Sequence, residues 1–226
     1  MISEVKIAYA VAPGKEFTFS DNVAAIGAGR DRPRKVEFEM PHPTPRNSYR
    51  IRLPRTEPHA LDQDEAYFIL DNGSGEQAIR FHDYAAQYRH KGLYEQLFYD
   101  RLKCTSPAKV CDLLRKVLQQ NLVEMSEMRV LDVGAGNGMV GERLFELGVA
   151  RIIGVDIVAE ARDACERDRP GIYDAYYVAD LCNLDAGTAE DLAAWRVDAM
   201  TTVAALGFGD IDRKSTRLNS SHRIRS

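Results

Sequence analysis

The run Asp132-Val133-Gly134-Ala135-Gly136-Asn137-Gly138 is where residue types and spacing first point to chemistry. Alternate glycines follow an apolar stretch and open a helical pattern. Such a turn needs backbone conformations closed to residues with a Cβ, and it lets a ligand lie against the main chain. The helix beyond it offers unpaired N–H groups and a partial positive charge, a seat for an anionic or polar group. A second acid, Asp156, stands 24 residues after Asp132, near the end of the run RIIGVDI, with Ile157 beside it. A carboxylate at the carboxyl end of a neighbouring parallel strand can accept two hydrogen bonds from a ribose diol. Asp180 and Leu181 close a third run, YYVADL. At that height Asp180 can accept from an adenine amino group while the Leu181 amide donates to the ring.

Two ligand classes use such a frame. Gly136 to Gly141 also reads G-x-G-x-x-G, and Gly136 stands 20 residues before Asp156, which suits a nicotinamide dinucleotide. Asp132 is the discriminator. A carboxylate two residues before the first glycine is expected to face the ligand, where it repels a diphosphate and attracts a sulfonium amino acid. It therefore favours S-adenosylmethionine. Each acid also has a plainer reading: a ligand-free glycine turn around Asp132, a solvated strand end at Asp156, a turn-starting residue at Asp180. His82 is the nearest suggestive base, but a single histidine at a strand end is more often a satisfied surface residue. No catalytic residue is assigned.

The elements that must position these residues follow from hydrophobic period. Residues 1–83 read as β-rich. KVEFEM (35–40) and SYRIRL (48–53) alternate at period 2, the signature of half-buried strands. EAYFIL (65–70) and QAIRFH (77–82) flank DNGSGE, which predicts a hairpin. From Asp83 the pattern turns helical, over Tyr84–Tyr88 and Leu93–Leu102. Ser106 as cap and Pro107 as first helical residue restart a helix with Val110, Leu113, Leu114, Val117 and Leu118 along one face, ending near Asn121. Strands over 129–133, 151–157, 173–181 and 197–206 then alternate with helices over 137–147, 159–167 and 188–194, the last with Thr188 as its cap. Strands and helices alternating at this pitch mean βαβ units around a parallel sheet. The fold class is thus α/β, a partial Rossmann-like sheet preceded by a small β-rich region.

The chain has 226 residues, 45% hydrophobic and 28% charged, ordinary for a globular protein of one full domain or two small ones. It holds no apolar run long enough to span a membrane, and its first residues lack the apolar core of a secretory signal. The four cysteines (Cys104, Cys111, Cys165, Cys182) form no C-x-x-C pair and read as reduced thiols, with no metal site. A cytoplasmic location is expected. Net charge is −4, and it is uneven: residues 212–226 carry five Lys/Arg and one acid, leaving the rest at 25 basic against 33 acidic residues. Such an acidic body argues against nucleic-acid binding. The tail DRKSTRLNSSH resembles the in-frame translation of a sequencing-adapter oligonucleotide, so residues 212–226 are expected to be an artefactual, disordered tail after a natural sequence cut near Ile211.

VLDVGAGNGMVGERL, IIGVDI, YYVADL and VDAMTTVAAL together resemble the cofactor half of class I S-adenosylmethionine-dependent methyltransferases, over about residues 84–211. The resemblance implies that Asp132, Gly134, Gly136 and Gly138 line the methionine moiety. Asp156 would bind the ribose, and Asp180 with Leu181 the adenine. Ala135, Asn137 and Ile157 complete the candidate cofactor-binding set. Asp83 to Tyr88 is similar to a helix that covers the cofactor in several small-molecule methyltransferases, which makes Tyr84 and Tyr88 lid candidates or simple packing aromatics. It also implies sheet order 3-2-1-4, with further strands beyond the fourth, so that Val197–Leu206 would be an uncovered edge and the chain as given marginally soluble and inactive. The expected activity is methyl transfer to an unidentified acceptor, a small molecule or a protein. A non-catalytic methyltransferase-like binding module and a nicotinamide-dependent oxidoreductase are the alternatives.

Overall fold

The computed structural model describes residues 48–54 and 65–205. The expected strand at 35–40, Leu206 at the end of the run 197–206 and the tail 212–226 lie outside them; within that run only Ala199–Thr202 is strand.

The first described strands build a small antiparallel sheet: β1 (Arg50–Arg52), β2 (Tyr67–Asp71) and β3 (Glu76–Arg80), in that order. In β2 the alternation works as expected, burying Phe68 and Leu70. Asp71 and Glu76 close the hairpin as paired residues. Its turn uses Gly73 at φ +86°, a region open to glycine, while the Asp71 and Asn72 carboxylate and amide oxygens accept from the Gly73 and Ser74 amides. In β1 only Ile51 turns inward. Leu53, placed on the same side by its spacing, lies past the strand and is exposed.

The inner face of this sheet packs on the next segment. α1 (Tyr84–Tyr88) is capped by the Asp83 carboxylate, which accepts from the Ala86 amide. α2 (Leu93–Glu95) passes at once into a π-helical stretch, Gln96–Arg101, where the periodicity predicts one continuous α-helix. The wider turn brings the Gln96 amide group against Tyr49: its oxygen accepts from the Tyr49 N–H at 2.8 Å and its nitrogen donates to the Tyr49 carbonyl at 2.7 Å. Leu93 and Leu97 then share one core with Ile51, Phe68, Leu70 and Ile79. The change of element type at residue 83 is therefore crossed by continuous apolar packing.

α3 (Ser106–Gln120) follows. Thr105, not Ser106, is its flanking residue, and its side chain makes no capping bond. Its inward face is Val110, Cys111, Leu114 and Leu118, with Leu113 rotated outward. Next come β4 (Arg129–Val133), α4 (Met139–Glu146), β5 (Arg151–Asp156), α5 (Ala159–Asp168), β6 (Ala175–Val178), α6 (Ala186–Ala194) and β7 (Ala199–Thr202). The four strands are parallel in the order β6-β5-β4-β7, the order 3-2-1-4 that the resemblance implied. Alternate residues serve opposite faces. Val130 and Ile152 pack with α3 and α4, whereas Leu131, Val133, Ile153 and Val155 pack with Leu192 and Trp195 at the other face. A strand buried on both faces must be apolar throughout, which is why these runs show no polar alternation. α6 starts two residues before the expected Thr188. Its cap is Asp185, whose carboxylate accepts the Thr188 amide and hydroxyl hydrogens.

Candidate functional site

The carboxyl ends of all four parallel strands meet in one crevice of about 280 Å3. Its floor and walls are Val133 and Gly134 after β4, Val155 to Val158 around the end of β5, Ala179 to Cys182 after β6 and Val203 to Ala205 after β7. His82, Asp83, Tyr84, Ala85, Tyr88 and Tyr94 form the opposite side. A crevice outside the strand ends, where chain connections diverge to either side of β4, is the usual ligand position of an open α/β sheet.

Five of the ten sequence candidates line it: Gly134, Asp156, Ile157, Asp180 and Leu181. Asp156 sits where two main-chain amides fix it. Its Oδ2 accepts from Gly136 N at 2.8 Å and its Oδ1 from Val158 N at 2.9 Å. Ile157 is 59% exposed and presents an apolar surface to the crevice. Asp180 starts a turn, its Oδ1 accepting from Cys182 N at 2.8 Å, so the plainer reading of this residue holds alongside its place on the wall.

The other five lie beneath or behind the crevice wall. Asp132 is fully buried, and the expectation that its carboxylate faces the ligand is corrected here. Tyr173 Oη donates to its Oδ2 at 2.7 Å and Thr201 Oγ1 to its Oδ1 at 2.9 Å. The reason is strand alternation: Val133 is the β4 residue that reaches the crevice, so its neighbour must point away. Burial raises the Asp132 carboxyl to about 7, the two hydroxyl bonds oppose the rise, and the nearby charge of Asp156 adds to it.

Gly134, Gly136 and Gly138 all take left-handed φ values, +69°, +54° and +90°, as their spacing requires. Protein, however, closes over all three: a Cβ on Gly134 would lie 2.5 Å from Ala205 Cβ. A Cβ on Gly136 would lie 2.6 Å from the Tyr88 hydroxyl, and one on Gly138 would lie 2.9 Å from Cys165 Sγ. The Gly136 carbonyl accepts from Tyr176 Oη at 2.8 Å. Ala135 and Asn137 are buried, and the Asn137 side chain donates to Glu95 Oε1 at 2.7 Å. Of the residues 134–138, only Gly134 lines the crevice.

Tyr84 and Tyr88 line the crevice and also pack, with their rings stacked 6.5 Å apart and Tyr88 5.1 Å from Tyr94. His82 reaches the same side, its ring edge-on to Tyr84. Sequence reasoning missed Tyr94, Tyr173, Tyr176, Glu95 and Arg169. Tyr94 lies within the helical pattern 93–102, and Arg169 stands beside Pro170 and Gly171 at a helix end, so neither position signals a site. Among the described residues no group of three or more His, Cys, Asp and Glu could hold a metal ion, and no helix is long and apolar enough to cross a membrane.

No protein-family model matches the chain. No curated protein matches it either. Among solved structures it is similar to an S-adenosylmethionine-dependent methyltransferase from Mesorhizobium loti, with 26% identity and a TM-score of 0.26, over 30% of this chain and 32% of that one. It is also similar to protein 1320 of Thermoplasma acidophilum, with 18% identity and a TM-score of 0.28, over 46% of this chain and 47% of that one. The chain therefore spans about a third and about half of the lengths of these two proteins. The fold assignment rests on strand order, and the functional reading on the crevice.

Proposed function

We propose that the crevice binds S-adenosylmethionine and that the protein directs its methyl group to an acceptor, a small molecule or a protein. The observation that carries this reading is Asp156. Its carboxylate is held by two amides at the mouth of the crevice, on one continuous wall with Ile157, Asp180 and Leu181. These residues fit an adenosyl group. Asp156 would accept from the ribose hydroxyls and Asp180 from the adenine amino group, with Ile157 and Leu181 against the ring. Gly134 adds bare main chain to the same crevice lining. When bound, the cofactor supplies a methyl group already activated by the sulfonium charge. The chain's own task is to align the acceptor and exclude water, for which Tyr84, Tyr88 and Tyr94 stand over the crevice.

The same geometry disfavours a nicotinamide dinucleotide. A diphosphate needs the free amides of the turn and the first turn of α4. Here the Gly136 amide is bonded to a carboxylate, Tyr88 fills the space over Gly136, and Asn137 is buried against Glu95. Calorimetric titration with S-adenosylhomocysteine tests the reading. Micromolar affinity is expected, weakened about tenfold or more by Asp156→Ala, as loss of charge-assisted hydrogen bonds predicts, with no binding of NADH. A protein that binds NADH and not S-adenosylhomocysteine overturns it.

A further inference from the structure

We propose that Arg169 is a positioning residue that fixes the glycine turn and, through it, the carboxylate of Asp156 in the orientation a ribose diol requires; the consequence for ligand binding rests on the adenosyl reading above. Arg169 follows the last residue of α5 and lies off the crevice wall. Its guanidinium enters the protein behind the turn. Nη1 donates to the Asn137 carbonyl at 3.1 Å and to Glu95 Oε1 at 2.9 Å, and Nε donates to Glu142 Oε2 at 3.1 Å. Asn137 Nδ2 donates to the same Glu95 oxygen, so the turn is held from its main chain and its side chain together. The adjacent residue, Gly136, is the one whose amide holds Asp156 Oδ2. Four elements (α2, the turn, α4 and α5) are thereby locked to one planar cation.

Stability alone does not account for this arrangement. The Arg169 and Glu95 side chains are 7% and 3% exposed, and one guanidinium faces two carboxylates. Removing such charges from water is expensive, and an apolar cluster of the same volume is often as stable. What the charged cluster supplies is directional: a rigid fork satisfies three acceptors at fixed angles, which an ammonium cannot reproduce. The fork bonds the carbonyl of Asn137 while the Asp156 carboxylate accepts from the amide of the adjacent Gly136, so the turn is held at two successive residues by an arginine and a carboxylate.

Arg169→Lys in the full chain tests this, with two readings. The first needs no ligand: amide hydrogen exchange followed by NMR. The Gly136 amide should exchange about tenfold faster than in the parent, with Ile153 in β5 unchanged, whereas a merely structural loosening accelerates both. The second compares S-adenosylhomocysteine with its 2′-deoxyribose analogue. The parent should prefer the ribose form about tenfold, as a hydrogen bond to a charged group implies, and Arg169→Lys should bring that preference below about threefold. Glu142→Gln, which removes only the charge facing Nε and so weakens that one bond, should move both readings in the same direction by less, and it serves if Arg169→Lys fails to fold. Unchanged Gly136 exchange and an unchanged ribose preference overturn the proposal. If the parent binds neither nucleoside but Gly136 still exchanges faster in the variant, the positioning role stands and the adenosyl reading falls.

Discussion

Asp132 shows how a single residue can be conspicuous in the sequence yet act differently from its spacing. Among the described residues its hydrogen-bond partners are two neutral hydroxyls, those of Tyr173 and Thr201. A buried carboxylate so placed keeps its proton more strongly than an exposed one, and its value moves from 3.8 to about 7. The sign for stability follows. Between about pH 4 and pH 7 the folded state holds one more proton than the unfolded chain, so this group stabilises at low pH and its contribution is lost as pH rises. The slope is about 1.4 kcal/mol per pH unit in that window, and it levels off above pH 7. Asp132→Asn cannot ionise. The difference in stability between parent and Asp132→Asn, measured by urea denaturation, should therefore shift in favour of the variant from pH 4 to pH 7. A difference that stays flat across that range would mean that Asp132 ionises normally in the folded protein.

At the scale of the element, α4 is packed more tightly than its sequence suggests. Gly141 lies inside the helix, where alanine would ordinarily add up to about 1 kcal/mol of helix stability. A Cβ there would stand 2.6 Å from Tyr173 Cζ and 2.7 Å from Ile172 Cγ2. Relieving such overlap costs about 1–3 kcal/mol, and the tyrosine that must move is the one bonded to Asp132. Gly141→Ala is expected to lower the melting temperature despite its better propensity. A raised melting temperature would show that Tyr173 can yield freely. In the G-x-G-x-x-G reading this glycine served a dinucleotide; in the structure it admits the segment before β6 against the helix.

At the scale of the whole molecule, the described residues form two sheets whose cores meet different helices. Leu97 is fully buried and belongs with Ile51, Phe68, Leu70 and Ile79 of the small sheet. Leu97→Ala should cost about 2–5 kcal/mol locally. Native-state hydrogen exchange should then show the amides of Phe68 and Ile79 losing protection while those of Leu131 and Ile153 in the parallel sheet keep theirs. Equal loss in both sheets would mean that they unfold as one unit. The bridge between them is the buried group of Glu95, Asn137 and Arg169, and Arg89 with Glu160 adds an exposed ion pair between α1 and α5. Through these contacts the small sheet bears on the crevice, since the segment that it packs against also carries Tyr94.

The period of the apolar residues was enough to determine the alternating strands and helices from Arg129 onward, while the turn formers around Asn72-Gly73 marked the hairpin and the alternate glycines at 134, 136 and 138 marked the tight turn. These are local matters: main-chain sterics and the burial of one or both faces of an element leave a regular trace along the chain. Which face of the turn meets a ligand was decided only by tertiary structure. Tyr88, Cys165 and Tyr173 come from remote positions to cover Gly136, Gly138 and Asp132, and no spacing announces a neighbour that arrives 27 or more residues away. Asp156 was legible because its role depends on being at a strand end. Arg169 was not, because a buried arginine has meaning only beside the acids and the carbonyl that packing brings to it.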